Sequence, residues 1–276
     1  MKFRNLMTCL IIFAFCLLNV GSDFEEYRKL EKENTELIRK EDLPSQFSDN
    51  AYRTIVEFIR KTKNLDYEWA IFFDYLTGEI LRCGRGDGEK VDMNFEDDKF
   101  EGCHVASIHN HPKEVLSPPS GKNFGILMRD FENYELIVGF EFFWIFKAKG
   151  IHEGLLYPFN MFSDAAYIFS LGYCSNRYND EEIINRMQDV LYGNELLKYI
   201  NNKNINDIQL TKKEYVTLDT NSKTATFNCR KRPDSEAIRI AREMENDPNT
   251  PSAKEMMYAL YQTLGVDVDY DEIFAE

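Results

Sequence analysis

The sequence predicts an α/β fold: a compact mixed sheet with flanking helices, followed by a mostly helical C-terminal region. Three observations predict it. Short apolar runs of strand length, separated by turn residues, recur between positions 68 and 150. Segments with apolar residues at helical spacing lie before and after them. Strands on both sides of a helix within one short stretch make a compact α/β unit. The chain has 276 residues, enough for one large domain or two modest ones, and its 43% hydrophobic and 14% aromatic content supplies a core.

Residues 1–22 are expected to be an export signal. Lys2 and Arg4 form a basic start, residues 6–20 are almost wholly apolar, and Val20 and Ser22 suit cleavage before Asp23. At ~1.5 Å per residue that run falls short of the ~30 Å hydrocarbon core, so a spanning helix fits less well. An uncleaved anchor, giving membrane association through residues 1–20, is the alternative. Residues 23–43 carry many charges around a weak stripe of Phe24, Tyr27, Leu30 and Leu37, and are expected to form a solvated helical stalk. Pro44 interrupts it. Residues 48–61 predict an amphipathic helix capped by Ser48, with Ala51, Ile55, Phe58 and Ile59 on one face.

The period then changes. Residues 69–74 predict a strand, Thr77-Gly78 a turn, and residues 79–83 a returning strand. Residues 91–95 predict another strand after a turn at Gly84, Gly86 and Gly88. Residues 103–111 predict a strand that Pro112 stops, because proline cannot donate to a ladder. A helix is expected over 121–131 and strands over 135–140 and 142–149, so the unit with its leading helix spans 44–152. In the remainder, 153–276, residues 180–200 predict a helix, and 215–219 with 225–229 a hairpin around Asn221-Ser222. Ser252 and Glu255 form a capping box before a helix over 256–264 that Gly265 closes.

The formal net charge is −14. A surface that acidic repels phosphates, which argues against nucleic acid as a main partner. Of six cysteines, no two are spaced as a CxxC pair, so a thiolate zinc site or a thioredoxin-like motif is not indicated. Without Cys9 and Cys16 of the apolar start, Cys83, Cys103, Cys174 and Cys229 remain, and their disulfide state is left open.

His109-Asn110-His111 carries the chemistry. Residues i and i+2 of a strand point to one face, so two imidazoles there can share a metal. The chain has only four His, which makes an H-x-H at a strand end more than compositional noise. A metal-free pair of histidines is the competing reading. The flanking residues add to the pattern: Glu68 precedes a predicted strand, Ile108 to Pro112 read I-H-N-H-P, and Pro119 to Asn123 read P-S-G-K-N.

This arrangement resembles the JAMM (JAB/MPN) family of zinc-dependent isopeptidases, in the form of its prokaryotic and phage-associated branch. The resemblance covers about residues 48–150. It implies Zn²⁺ held by His109 and His111, with Glu68 as general base on the metal-activated water and Ser120 steadying the oxyanion. A peptide or protein would be the substrate. Structurally, Glu68 has a rival reading as a polar residue at a strand start, and Ser120 as a helix N-cap. The third ligand of the family is an Asp three residues after the Ser; here that position is Asn123, a neutral and weaker donor. Glu114, in the loop between His111 and Ser120, is an alternative ligand, whereas Asp130 lies about two helical turns on, roughly 10 Å away by helix rise. Two further readings remain: a catalytically impaired relative kept as a binding module, and an exported interaction protein with an incidental His pair.

Overall fold

The computed structural model describes residues 23–33, 35, 37–86, 100, 102–112, 116–119, 123–139, 142–203, 208–214 and 233–275. The apolar start, Gly88, the strand expected over 91–95, Glu114, Ser120, the hairpin expected over 215–229 and Cys229 lie outside the described residues.

The core of the molecule is a six-stranded mixed sheet. Its strands are β1 (Trp69–Asp74), β2 (Ile80–Arg85), β3 (Val105–Asn110), β4 (Glu132–Val138), β5 (Phe142–Ala148) and β6 (Ile208–Glu214). They lie in the order β2-β1-β3-β4-β5-β6. Every pair is antiparallel except β3 and β4. Parallel neighbours cannot be joined by a hairpin and need a crossover of about a dozen residues or more. The connection from β3 to β4 is therefore long, and it carries the candidate site.

Helices cover both faces. The helix α1 (Asp49–Thr62) lies on one; α2 (Glu153–Arg177), α3 (Glu181–Asn202), α4 (Ser235–Glu245) and α5 (Ala253–Thr263) lie on the other. Strand alternation divides the core between them. Leu136, Val138, Phe143 and Ile145 pack with Ala51, Ile55, Phe58 and Ile59 of α1. Their neighbours Ile137, Trp144 and Phe146 pack with Phe159, Phe162, Leu191, Leu196 and Met257 of the later helices. Burial on both faces is why β1 (WAIFFD) is an unbroken apolar run, while the edge strand β2 is only partly buried.

Local signals set the helix ends. Ser48 accepts a hydrogen bond from the Ala51 N–H, and Asp180 caps α3 through the N–H groups of Glu182 and Ile183. The Ser252–Glu255 capping box is formed, and Gly265, at φ +68°, follows α5. Among the described residues no helix is long and apolar enough to cross a membrane. Cys83, Cys103 and Cys174 are free thiols.

Several elements differ from the sequence expectation. Residues 23–43 are not a solvated stalk: among the described ones 23–29 are α-helical and Lys40–Asp42 form a 3₁₀ turn, and Tyr27, Leu37, Ile38 and Leu43 are buried in the α1 side of the core. The buried Lys61 of α1 draws this segment in, with its ammonium 3.0 Å from the Tyr27 carbonyl oxygen and 4.5 Å from the Tyr27 ring centre. The helix expected over 121–131 is a 3₁₀ segment, Asn123–Met128. It contains Gly125 and ends where Arg129 turns toward β4, too short a run for an α-helix to propagate. β4 begins at Glu132, before the expected 135, because the buried Glu132 is paired with Arg129 and Ser107. β6 adds a strand to a region that reads mostly helical, and α2, the longest helix among the described residues, is not located by the sequence periodicity.

Candidate metal centre

The site lies where β3 ends beside its parallel neighbour β4. His109 faces the side of the sheet that the C-terminal helices cover, as do Ser107 before it and Ile137 across from it. His111 follows just past the strand end and donates its backbone N–H to the Val138 carbonyl at 3.1 Å. The i, i+2 spacing puts the two buried rings together, with centres 4.8 Å apart and Nε2 atoms 2.9 Å apart. Asn123, at the start of the 3₁₀ segment, is buried against them with Nδ2 3.0 Å from His109 Nε2. The crossover thus returns Asn123 to the histidines that begin it.

Hydrogen bonding fixes which ring nitrogens are available. His111 Nδ1 lies 3.2 Å from the Leu116 carbonyl oxygen, which only accepts, so Nδ1 carries the proton and Nε2 keeps its lone pair. His109 Nε2 has two neighbours at hydrogen-bond distance, the Asn123 amide at 3.0 Å and His111 Nε2 at 2.9 Å. With His111 protonated at Nδ1, a hydrogen on His109 Nε2 directed at His111 Nε2 satisfies this contact in the protein without metal. A cation between the two Nε2 atoms would satisfy both rings at once. Full protonation does not occur at neutral pH: burial, with the nearby Arg129 charge, pushes His109 down to about 3. Burial and the His109 neighbour hold His111 well below 6.5.

Behind His109 lies a buried acidic network. Glu135 Oε1 is 3.6 Å from His109 Nδ1 and accepts from Asn123 Nδ2 at 3.2 Å. Glu132 accepts from the Ser107 hydroxyl and from Arg129, at 2.6 Å for the latter. Burial, and then the Glu132 charge, raise the Glu135 carboxyl to about 8. Both partners of the His109–Glu135 contact are therefore neutral at pH 7, and it is no ion pair despite its charged residue types. Half a turn of the Asn123 amide would put Oδ1 where Nδ2 stands, and a protonated Glu135 can then donate to it.

Glu68 is buried at the start of β1. Ala70 pairs with His109, so two residues back Glu68 falls opposite His111, on the face of both imidazoles. Asn110, between the two histidines, holds this strand start. Its Oδ1 accepts the Trp69 N–H at 2.6 Å and its Nδ2 donates to the Tyr67 carbonyl at 3.0 Å, so one side chain grips the backbone on both sides of Glu68.

Of the residues read from the sequence, the fold brings His109, His111 and Asn123 into contact and sets Glu68 on the same face of the adjoining strand. Ser120 and Glu114 fall outside the described residues, and Asp130 is exposed in the turn before β4. Sequence reasoning missed Asn110 and Glu135. The one signal for Glu135 is a charged residue directly before the apolar run Leu136 to Val138 of β4. Among the described residues no group of three or more His, Cys, Asp and Glu side chains gathers as a metal site, and the side chain in contact with the histidine pair at the position read from the sequence is the amide of Asn123. No family model, curated protein or solved structure matches this chain.

Proposed function

We propose that this chain is a zinc-dependent hydrolase of JAMM (JAB/MPN) type in fold and site, cleaving a peptide or isopeptide bond in a protein substrate. The observation that carries this reading is the close pair of buried imidazoles, with Nε2 atoms 2.9 Å apart, one ring held from behind by a backbone carbonyl and the other with Glu135 Oε1 3.6 Å from its far nitrogen. Metal-binding histidines have this kind of support on the far nitrogen, which fixes tautomer and orientation. Two neutral imidazoles fit zinc, which is bound by nitrogen, sulfur and carboxylate donors. His109 and His111 would hold it, with Asn123 completing the protein ligands.

When bound, the ion would act as Lewis acid and bring a water's pKa to ~7. Glu68 would take the proton of the attacking water and pass it to the leaving amine. Asn110 keeps Glu68 from swinging off that face by fixing the peptide on each side of it. Ser120 would donate to the oxyanion that develops on the scissile carbonyl.

Elemental analysis of full-length protein purified without chelator or His tag tests the reading. About one zinc per chain is expected, and His109→Ala or His111→Ala should abolish it. Stoichiometric zinc in both single variants would sink the site. One observation favours a second reading, a catalytically impaired binding module: Asn123 is a neutral amide already bonded to His109 and Glu135. Zinc binding without turnover of any peptide or isopeptide substrate would favour it.

A further inference from the structure

We propose that Asp189, in α3, is a positioning residue for this centre: through the Leu116–Ser117 peptide it sets the tautomer and ring orientation of His111. The inference rests on the reading of His111 as a ligand, and it extends the site into the C-terminal helical region.

The buried Asp189 accepts the Ser117 N–H at Oδ1, at 2.8 Å. The carbonyl of Leu116, the other end of the same peptide group, is the acceptor 3.2 Å from His111 Nδ1. One planar unit therefore joins carboxylate to imidazole: Asp189 to N–H, and C=O to Nδ1–H. Hydrogen bonds in series polarise one another, so a carboxylate on the N–H makes the carbonyl a better acceptor. Asp189 also fixes which way the peptide faces. Turned over, the peptide would present its carbonyl to the Asp189 carboxyl and its N–H to His111, an arrangement that the Nδ1–H form cannot accept.

The surroundings of this peptide are closely packed. Leu116 and Ser117 are buried. A Cβ on Gly139 would stand 2.6 Å from Ser117 Cβ, and one on Gly193 would stand 2.5 Å from the Trp144 ring and 3.1 Å from Pro118. Tyr192, also on α3, donates to the Pro119 carbonyl at 2.9 Å. The helix thus grips the chain at Ser117 and Pro119, and the Asp189 grip is the one on the peptide that bonds His111.

The experiment uses the full chain, first metal-free and then with zinc alone. Long-range proton–nitrogen correlation through the imidazoles assigns the tautomer of each of the four histidines. Wild-type His111 is expected as the Nδ1–H form. Asp189→Ala should release it toward the Nε2–H form and weaken zinc binding about tenfold, the low end for loss of outer support. Asp189→Asn keeps an oxygen acceptor and should restore the Nδ1–H form and most of the affinity. Tyr192→Phe should leave the tautomer unchanged. A wild-type His111 in the Nε2–H form overturns the proposal without any variant, which covers the case of Asp189→Ala failing to fold. So does a folded Asp189→Ala that keeps both tautomer and affinity, or a Tyr192→Phe that disturbs the tautomer as much. The tautomer is read without metal, so a wild type that binds no zinc defeats the hydrolase reading and leaves this result separate.

Discussion

Asn123 is the residue on which the proposed activity turns. Its amide nitrogen lies 3.0 Å from His109 Nε2 and 3.2 Å from Glu135 Oε1. A carboxylate in its place would serve zinc better but would be buried beside the histidine pair. Burying that charge is costly in metal-free protein, and a cation removes the cost. Asn123→Asp is therefore expected to lower the melting temperature of metal-free protein and to tighten zinc binding. Any peptide or isopeptide hydrolysis should rise with it. Calorimetric melting with and without zinc checks this. A variant that melts higher than wild type when metal-free, or binds zinc no better, would place Asn123 away from the metal.

Among the elements, the crossover from β3 to β4 matters most, because it holds His111 at one end and Asn123 at the other. It is held by close backbone approach more than by regular structure. Gly139, just past β4, makes room for Ser117: a Cβ there would meet Ser117 Cβ at 2.6 Å and the Phe142 carbonyl oxygen at 2.8 Å. The second neighbour is backbone and yields little. Gly139→Ala should cost ~1–3 kcal/mol as overpacking. It should also displace the Leu116 carbonyl and weaken zinc binding. Denaturant unfolding and a zinc titration on the same sample test both effects; an unchanged zinc affinity alongside lost stability would show that the crossover moves independently of the ligands.

At the scale of the whole molecule, the buried site makes stability depend on pH from both sides. His109 sits at about 3 in the fold against 6.5 unfolded, and His111 is shifted the same way. Below 6.5 the unfolded chain gains protons that these folded residues refuse, so their contribution is present above 6.5 and is lost as pH falls toward 3. Glu135 is raised from 4.5 to about 8, and Glu132 is raised as well. Their contribution is present below 4.5 and is lost as pH rises toward 8, since the unfolded chain ionises first. The site's contribution in metal-free protein should therefore be greatest between about 4.5 and 6.5, where the two trends oppose each other. Glu135→Gln should flatten the loss between pH 6.5 and 8. Parallel curves for wild type and Glu135→Gln over that range would contradict the assignment.

The sequence by itself determined the α/β class, α1 with its Ser48 cap, the capping box at Ser252, and the His109–His111 pair. Each is a local signal: a 3.6-residue or 2-residue period, or a side chain bonding to backbone three residues on. It also singled out Asn123 and Glu68, by resemblance to a family motif and not by any periodicity. Tertiary structure alone decided the rest. Tyr27 and Leu37 show only a weak stripe, and they are buried because α1 and the sheet present a surface that covers them. β6 is a strand because β5 offered an open edge to pair with. Glu135 and Asp189 are ordinary acidic residues in the chain; folding places one 3.6 Å from His109 and bonds the other to the peptide that holds His111. Contacts between residues far apart in the chain leave no period to read, because they are set by how the faces of the sheet are covered.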